Sequence, residues 1–244
     1  MKSLLWSYEE ALKGWRCRRA AVSPRAGPTG AASQPPKSPG VSTGRLEAFS
    51  DGVIAVAITL LVLDIHFPTP PLRPGTTLGH ELARHWPVYA AYATSFLTIG
   101  IIWVNHHVMI GRLREADRMI LFLNLLLLMS IAILPFATSL MAAYLRESSG
   151  QHLAAAIYSG AFLIMAVLFT ILNAHILLVK HPKLARPLPL ERRRQILSRS
   201  VTGVVPYIVA TALAAVSSYA TLIICGVIAI FYALPIGSGG TDQD

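Results

Sequence analysis

The chain has 244 residues, of which 54% are hydrophobic and only 14% are charged. Soluble domains carry about 25% charged residues, so this composition excludes an ordinary soluble domain and predicts a membrane protein. The net charge of +9 would also suit a nucleic-acid-binding protein, and the placement of the basic residues decides between the two.

The first 44 residues differ from the rest of the chain. Residues 1–20 place apolar side chains on one face of a possible helix that carries basic residues towards its end, a pattern typical of a helix on an anionic membrane surface. A disordered tail or a misassigned start codon explains the same residues. Residues 21–44 are rich in Pro, Gly, Ser and Ala, which predicts a flexible linker. No apolar core typical of a cleaved signal peptide is present in this segment.

Apolar runs fill the remainder of the chain. Each has the length of roughly 20 residues that a helix needs to cross about 30 Å of hydrocarbon. The predicted spans are 46–65, 87–110, 119–143, 152–179, 197–216 and 218–236. The last two are separated only by Ser217 and Ser218, but one helix of their combined length would be about twice as long as the bilayer is thick. We therefore predict an all-α membrane protein with six transmembrane helices per protomer, in a domain over residues 45–236 followed by a tail over 237–244.

The basic residues are distributed unevenly between the two sides of the membrane. With six spans, one side receives 18 of the 21 Lys and Arg residues, in the N-terminal segment and in the loops 111–118 and 180–199. The positive-inside rule places this side, with both termini, in the cytoplasm. Topology therefore explains the positive charge, and we expect no nucleic-acid partner.

Metal and enzyme sites are not indicated. His66, His80 and His85 are spread along one loop without the spacing of metal ligands, and Cys17 and Cys225 are too few for a disulfide framework or a metal site. No catalytic motif is present, and the adjacent Ser50 and Asp51 cannot form a triad because they point about 100° apart on a helix. We expect neither an enzyme, a cofactor nor a bound metal.

Polar residues occur inside the spans, where an ionisable group costs about 2.5–3.5 kcal/mol at the bilayer centre unless it has a partner. Asp51 lies near the cytoplasmic end of the first span, His106 near that end of the second, and Asn124 in the third. We expect a buried hydrogen-bonded cluster there, with Asp51 accepting from Arg45, His106 or both. The role of such a cluster is either purely structural, holding the helices together, or it supports an ion path.

The phase of the first helix offers a candidate path. At about 100° per residue, one stripe contains Gly52, Val56, Thr59 and Leu63, with Leu60 beside it. Asp51 lies about 100° away from this stripe. If the first helix lines a pore, the carboxylate faces a neighbouring helix and the narrowest part is apolar. An apolar stripe can equally face lipid or other helices.

These residues resemble the transmembrane protein 175 family, the endolysosomal potassium channels and their bacterial homologues. The signature RxxxFSD stands as Arg45, Phe49, Ser50 and Asp51, and Trp103 and His106 supply the family's Trp-x-x-His. The spacing also matches at Asp117, Asn124 and the "LPFATSL" run from Leu134. The match is close over residues 45–143, and hydropathy alone supports it beyond that range.

The resemblance implies a bacterial homotetramer in the plasma membrane, with the first helices around a central pore that passes potassium ions. It implies a hydrophobic constriction at Val56, Leu60 and Leu63, with Thr59 contributing to selectivity. A polar cluster would hold the first helix in place, formed by Arg45, Phe49, Ser50, Asp51, Trp103, His106, Asp117 and Asn124. Val56 occupies a position that is often Ile in the family, so the ring could be wider and less selective. A proton-coupled secondary transporter and a non-conducting membrane scaffold are the alternative functions.

Overall fold

The computed structural model describes residues 42–63, 65 and 75–233. This part of the chain is almost entirely helical, and an isolated β-bridge joins Leu113 to Leu184. Its α-helices, numbered in chain order, are α1 Thr43–Leu63, α2 Leu78–Arg84, α3 Trp86–Gly111, α4 Arg118–Ala132, α5 Leu134–Tyr144, α6 Gln151–Ala174, α7 Leu190–Leu213 and α8 Ser218–Ala233. The surface helix predicted for residues 1–20, most of the linker and the C-terminal tail lie outside the described residues.

The all-α membrane architecture is confirmed. Five helical segments in the described part are long and apolar enough to cross a membrane, and α8 is a shorter apolar helix of 16 residues. The break that we predicted at Ser217 and Ser218 is present: α7 ends at Leu213, and the hydroxyl of Ser217 accepts a hydrogen bond from the amide of Ala220 in the first turn of α8. Each predicted span therefore corresponds to a helix or to a pair of consecutive helices.

Three helical segments differ from the prediction. The third span, predicted as one helix over 119–143, is divided into α4 and α5 next to Pro135, whose ring lacks the N–H that would continue the backbone ladder. The fourth span continues past α6 as a π-helical turn, His175–Val179. The helix of the fifth span, α7, begins at Leu190 instead of residue 197. Its first turns are basic, and an apolar pattern does not predict helix in a basic segment.

The described part of the loop between the first two spans contains a short helix. We treated residues 66–86 as a loop, but α2 forms at its end, where the side chain of Thr77 accepts a hydrogen bond from the amide of His80. Arg146, at the end of the next hairpin on the same side, donates from Nη1 to the carbonyl of Arg84 at 3.0 Å. A hydrogen bond therefore connects the end of α2 to the following loop on the same side of the bundle.

Packing places α6 at the centre of the bundle and two helices at separate edges. α6 packs against α4, α5, α7 and α8, whereas α1 packs against α3, α4 and α5. Tyr158 and Phe162 of α6 are fully buried, and their rings meet edge to face with centroids 4.8 Å apart. α7 packs mainly against α6 and α8, so α1 and α7 are the peripheral helices whose outer faces need an explanation.

Candidate functional site

The two faces of α1 have opposite environments. Ser50, Ile54 and Leu61 are buried against the neighbouring helices. Leu63 and Val56 lie on the other face, with 70% and 57% of their surface exposed. A membrane helix that packs on one side and exposes an apolar stripe on the other must present that stripe to lipid, to another protomer or to a pore.

The five stripe residues singled out in the sequence share this outer face. Gly52, Val56, Thr59, Leu60 and Leu63 are all exposed in the single chain. An open apolar groove of about 530 Å³ runs beside them, lined by α1 from Ala48 to Leu60 and closed on one side by Ala132 at the end of α4. The structure thus brings the predicted constriction residues onto one accessible surface.

Thr59 is the polar member of this surface. Its hydroxyl donates to the carbonyl of Val56 at 2.9 Å, a local bond within one turn of α1. The hydroxyl proton is therefore used by the backbone, and the lone pairs on the oxygen remain available. An oxygen that can accept but whose proton is engaged is a suitable group to contact a cation.

A buried chain of hydrogen bonds fixes the inner face of α1. Nε2 of His106 on α3 lies 2.7 Å from Oδ1 of Asn124 on α4, and Nδ2 of Asn124 donates to the hydroxyl of Ser50 at 3.0 Å. Ser50 in turn donates to the carbonyl of Leu46 at 2.9 Å. Since the Asn124 amide nitrogen is used by Ser50, its carbonyl oxygen faces the imidazole, and Nε2 of His106 must carry the proton. This chain connects three helices through side chains that are fully buried.

Asp51 has a different partner from the one expected. We expected it to accept from Arg45 or His106, but the donor is the indole Nε1 of Trp103 on α3, at 2.8 Å. The expectation was wrong because helical phase defines the direction of a side chain on its own helix and does not reveal which neighbouring helix it meets. Asp51 nevertheless points away from the exposed stripe, as the phase predicted.

One contact in this region was missed. Glu47 lies one turn before Asp51, and its Oε1 is 2.9 Å from Nδ1 of His107, a close contact without hydrogen-bond alignment. His107 lies one turn after Trp103, and the two rings are 6.3 Å apart. Glu47 and Asp51 are four residues apart on α1, and Trp103 and His107 are four residues apart on α3. Because the two helices run antiparallel, one pair meets the other. Matching polar spacings in both spans are the sequence signal that could have revealed it.

Asp117 belongs to a separate cluster from the one proposed. It caps α4 by accepting from the amide of Ile120 at 3.0 Å, and its carboxylate lies 2.9 Å from Nζ of Lys180 and 3.8 Å from Nζ of Lys183. Partial burial raises the pKa of Asp117, but the Ile120 amide and the two lysines outweigh it, and the net pKa is below the ordinary value. Asp117 therefore joins two loops, and in the described part of the chain its hydrogen bond and ion pairs do not involve α1.

Two other members of the proposed cluster lie at the surface. Phe49 is 53% exposed and lines the apolar groove, and Arg45 is exposed in the first turn of α1. The structure thus separates the predicted cluster into a buried chain around Asn124, the Asp51–Trp103 contact, the loop cluster around Asp117, and two exposed residues. Only the first two of these hold α1.

Known proteins share both the sequence and the fold. The family model described as the endosomal/lysosomal potassium channel TMEM175 matches residues 45–135. A potassium channel of Streptomyces collinus is 44% identical over 193 residues, which are 78% of this chain and 91% of that protein. A potassium channel of Chamaesiphon minutus is 38% identical over 192 residues, which are 79% of this chain and 94% of that protein.

The three-dimensional comparison agrees. The crystal structure of a lysosomal potassium-selective channel TMEM175 homolog from Chamaesiphon minutus matches with a TM-score of 0.70 and 37% sequence identity, and the match covers 80% of this chain and 98% of that one. The similarity to a channel family of known fold thus extends over nearly all of the membrane domain. The chain belongs to the TMEM175 family.

Proposed function

We propose that the chain is the protomer of a potassium-permeable cation channel, and that Val56, Leu60 and Leu63 of α1 form its hydrophobic constriction. The relatives from Streptomyces and Chamaesiphon that match most of the chain are named potassium channels. The observation that carries the assignment of residues is the exposed apolar stripe on α1, on the face opposite the buried hydrogen bonds of Ser50.

The proposed assembly is a homotetramer with α1 from each protomer around the central pore. The number four rests on the family resemblance. A second exposed apolar stripe supports contact between protomers, because it follows α4 and α5 beside the groove on α1; its members are Phe122, Leu125, Met129, Ile133 and Phe136. A protomer in a ring around a pore needs two adjacent apolar surfaces, one that lines the pore and one that contacts the neighbouring protomer.

The constriction would control conduction through hydration. Four copies of an apolar side chain form a ring that loses its water when narrow and passes ions when slightly wider. Potassium holds its hydration shell less tightly than sodium, so partial dehydration at such a ring favours potassium. Thr59, whose oxygen keeps free lone pairs, would contact the ion between the rings of Val56 and Leu63.

The polar contacts on the inner face of α1 would keep the ring in register. A rotation of α1 by one residue would turn the stripe by about 100°, so the pore depends on a fixed azimuth of the helix. Asn124 and Trp103 contact α1 within its first three turns, near its N-terminal end. The stripe extends from there towards the other side of the membrane.

The proposed orientation follows from charge. The loops after α3 and α6 are rich in Arg and Lys, and the positive-inside rule places them with both termini in the cytoplasm. The relatives that match most of the chain are bacterial, which supports a plasma-membrane location. A reporter fused to the C-terminus that is active only in the cytoplasm tests this orientation.

The test of the channel is ion flux through purified protein. Liposomes that contain the protein and are loaded with potassium chloride are diluted into sodium chloride with a proton ionophore, and a pH-sensitive dye follows the proton uptake that balances potassium efflux. We expect dye quenching that protein-free liposomes lack and that disappears when potassium chloride is present at equal concentration on both sides. Planar-bilayer recordings should resolve unitary currents.

Two results would contradict the proposal. If the protein eluted as a tetramer but carried no current and no flux, the scaffold function would replace the channel. If flux saturated with ion concentration and required a proton gradient, the protein would be a coupled transporter. Light scattering of the detergent complex tests the assembly independently, since a monomeric or dimeric mass removes the central pore.

A further inference from the structure

A second site lies at the basic end of the bundle, away from α1. A cavity of about 340 Å³ opens between the loop after α3, the loop after α6 and the first turns of α7. Small-molecule sites usually measure about 300–1,000 Å³, so this volume suits a small group or the head of a larger molecule. Three of its eight lining residues are basic, namely Arg114, His181 and Arg193, and none is acidic.

The cavity is lined by basic side chains and by no acidic one. The carboxylate of Asp117, in the loop after α3, pairs with Lys180 and Lys183. Among the described residues no ion pair within 4.0 Å involves Arg114 or Arg193. Arg193 donates from Nη1 to the carbonyl of Leu177 at 3.3 Å, and its buried Nε has no acceptor. A guanidinium carries five N–H donors, so Arg193 retains donors for a ligand.

The loops that form the cavity are held in position before any ligand binds. The amide of Arg114 donates to the carbonyl of Lys183 at 2.9 Å, and the amide of Ala185 donates to the carbonyl of Arg112 at 2.8 Å. These two bonds form the bridge between Leu113 and Leu184, both of which are buried. Preorganised donors lose little conformational entropy on binding, which favours a specific site over a diffuse basic surface.

The cavity also has an apolar part, and its position relative to the ends of the membrane helices is defined. Pro182, Leu184 and Leu188 contribute apolar lining beside the basic side chains. The loops begin directly after Gly111, the last residue of α3, and after Val179, the end of the π-helical turn. This places the cavity at the level of the lipid headgroups, and basic pockets between membrane helices at this level are suited to phosphorylated headgroups.

We propose that this cavity binds a phosphate group through Arg114, His181 and Arg193. The phosphate can come from an anionic lipid headgroup or from a soluble phosphate ester, and both offer the same acceptor oxygens. Bidentate recognition by guanidinium groups gives the geometry, and the apolar lining contacts the carbon portion of the ligand. The site does not depend on ion conduction, because it involves neither α1 nor the exposed stripe.

The experiment measures binding by the full-length protein in detergent. Native mass spectrometry counts adducts of phosphatidylglycerol and of phosphatidylcholine, and thermal unfolding is followed with glycerol 3-phosphate or inorganic phosphate. The variants are Arg114→Gln, Arg193→Lys and the double substitution Arg114→Gln with Arg193→Gln. Arg194→Gln and Arg186→Gln are the matched controls, because each removes one exposed positive charge nearby without lining the cavity.

We expect phosphatidylglycerol to bind in preference to phosphatidylcholine, and about tenfold more weakly to Arg114→Gln and the double variant than to the controls. Arg193→Lys, which keeps the charge but loses the planar fork, should lie between them. Stabilisation of the wild type by glycerol 3-phosphate or by inorganic phosphate identifies a soluble source, and binding of the lipid alone identifies the headgroup. Two results would overturn the site. One is an equal loss of binding in the control variants. The other is that phosphatidylglycerol binds no better than phosphatidylcholine and neither soluble phosphate stabilises the protein; these basic residues would then only set the orientation in the membrane. Arg114 is exposed, so its variant tests the proposal even if the double variant fails to fold.

Discussion

Helices α1 and α7 both lie at the periphery of the protomer, and both expose apolar side chains. Val56 on α1 is 57% exposed and Val201 on α7 is 50% exposed, so exposure alone does not distinguish a pore face from a lipid face. Both helices receive side-chain hydrogen bonds from their neighbours, α1 from α3 and α4, and α7 from α6 and α8. They differ in burial, because α1 has five buried residues in 21 and α7 has two in 24. The comparison indicates that the more extensively buried inner face of α1, and not its exposed stripe, distinguishes it from α7.

The largest expected effect is at Asn124, the middle of the buried chain. Asn124→Leu leaves Nε2 of His106 and the hydroxyl of Ser50 without their partner inside the bundle, which costs about 1–3 kcal/mol. We expect a large loss of thermal stability and of tetramer in detergent, measured by tryptophan fluorescence and size exclusion. Ile208→Ala, at an exposed position on α7 outside both proposed apolar surfaces, is the control and should change stability little. An equal loss in both variants would remove the special role of the buried chain.

The second effect is at the Asp51–Trp103 contact. Asp51→Ala and Trp103→Phe each remove one partner of the same 2.8 Å bond, and the second keeps an aromatic ring. Because the contact is partly exposed, we expect about 1 kcal/mol for each, seen as reduced assembly or expression more than as altered ion selectivity. The double variant should cost little more than either single variant. Additive losses would mean that the two residues act separately.

A third prediction compares the exposed faces directly. Leu60→Asn keeps the proposed ring wet, and Val56→Ala widens it, so both should change potassium flux severalfold or alter the preference for potassium over sodium. Val201→Ala, an exposed position on α7, should leave flux unchanged. Thr59→Val should give the smaller change, in selectivity. Planar-bilayer recordings measure all four variants, and equal currents from the α1 variants and the wild type would take these residues out of the pore.

The smallest effect concerns the loop cluster around Asp117, whose described hydrogen bond and ion pairs do not involve α1. The native pKa of Asp117 lies below its ordinary value of about 3.9, so the unfolded state binds more protons in acid. The contribution of Asp117 is therefore fully present above the unfolded pKa and is lost as the pH falls through the lower native pKa. Screening by solvent limits it to a few tenths to about 1 kcal/mol. Asp117→Asn should lower the stability at pH 6 and flatten its acid dependence between pH 5 and 3, with potassium flux per folded protein unchanged.

Much of the fold follows from the sequence, because backbone groups in hydrocarbon must bond within their own helix. The spans and the break at Ser217 were predicted on this basis, and the structure contains them. The start of α7 at Leu190 was not predicted, because a helix outside the membrane needs no apolar side chains. The third span was predicted without its interruption, although Pro135 was visible, because a proline can kink, end or merely bend a membrane helix.

The candidate site shows the same division. The sequence by itself determined that Gly52, Val56, Thr59 and Leu63 share a face of α1 and that Asp51 does not, because helical geometry depends only on spacing along the chain. Only the tertiary structure decided that Asp51 meets Trp103, that Asn124 links His106 to Ser50, and that Asp117 joins two distant loops. Those contacts depend on how α3, α4 and α6 pack, and the packing is decided by the shapes of all the buried side chains together.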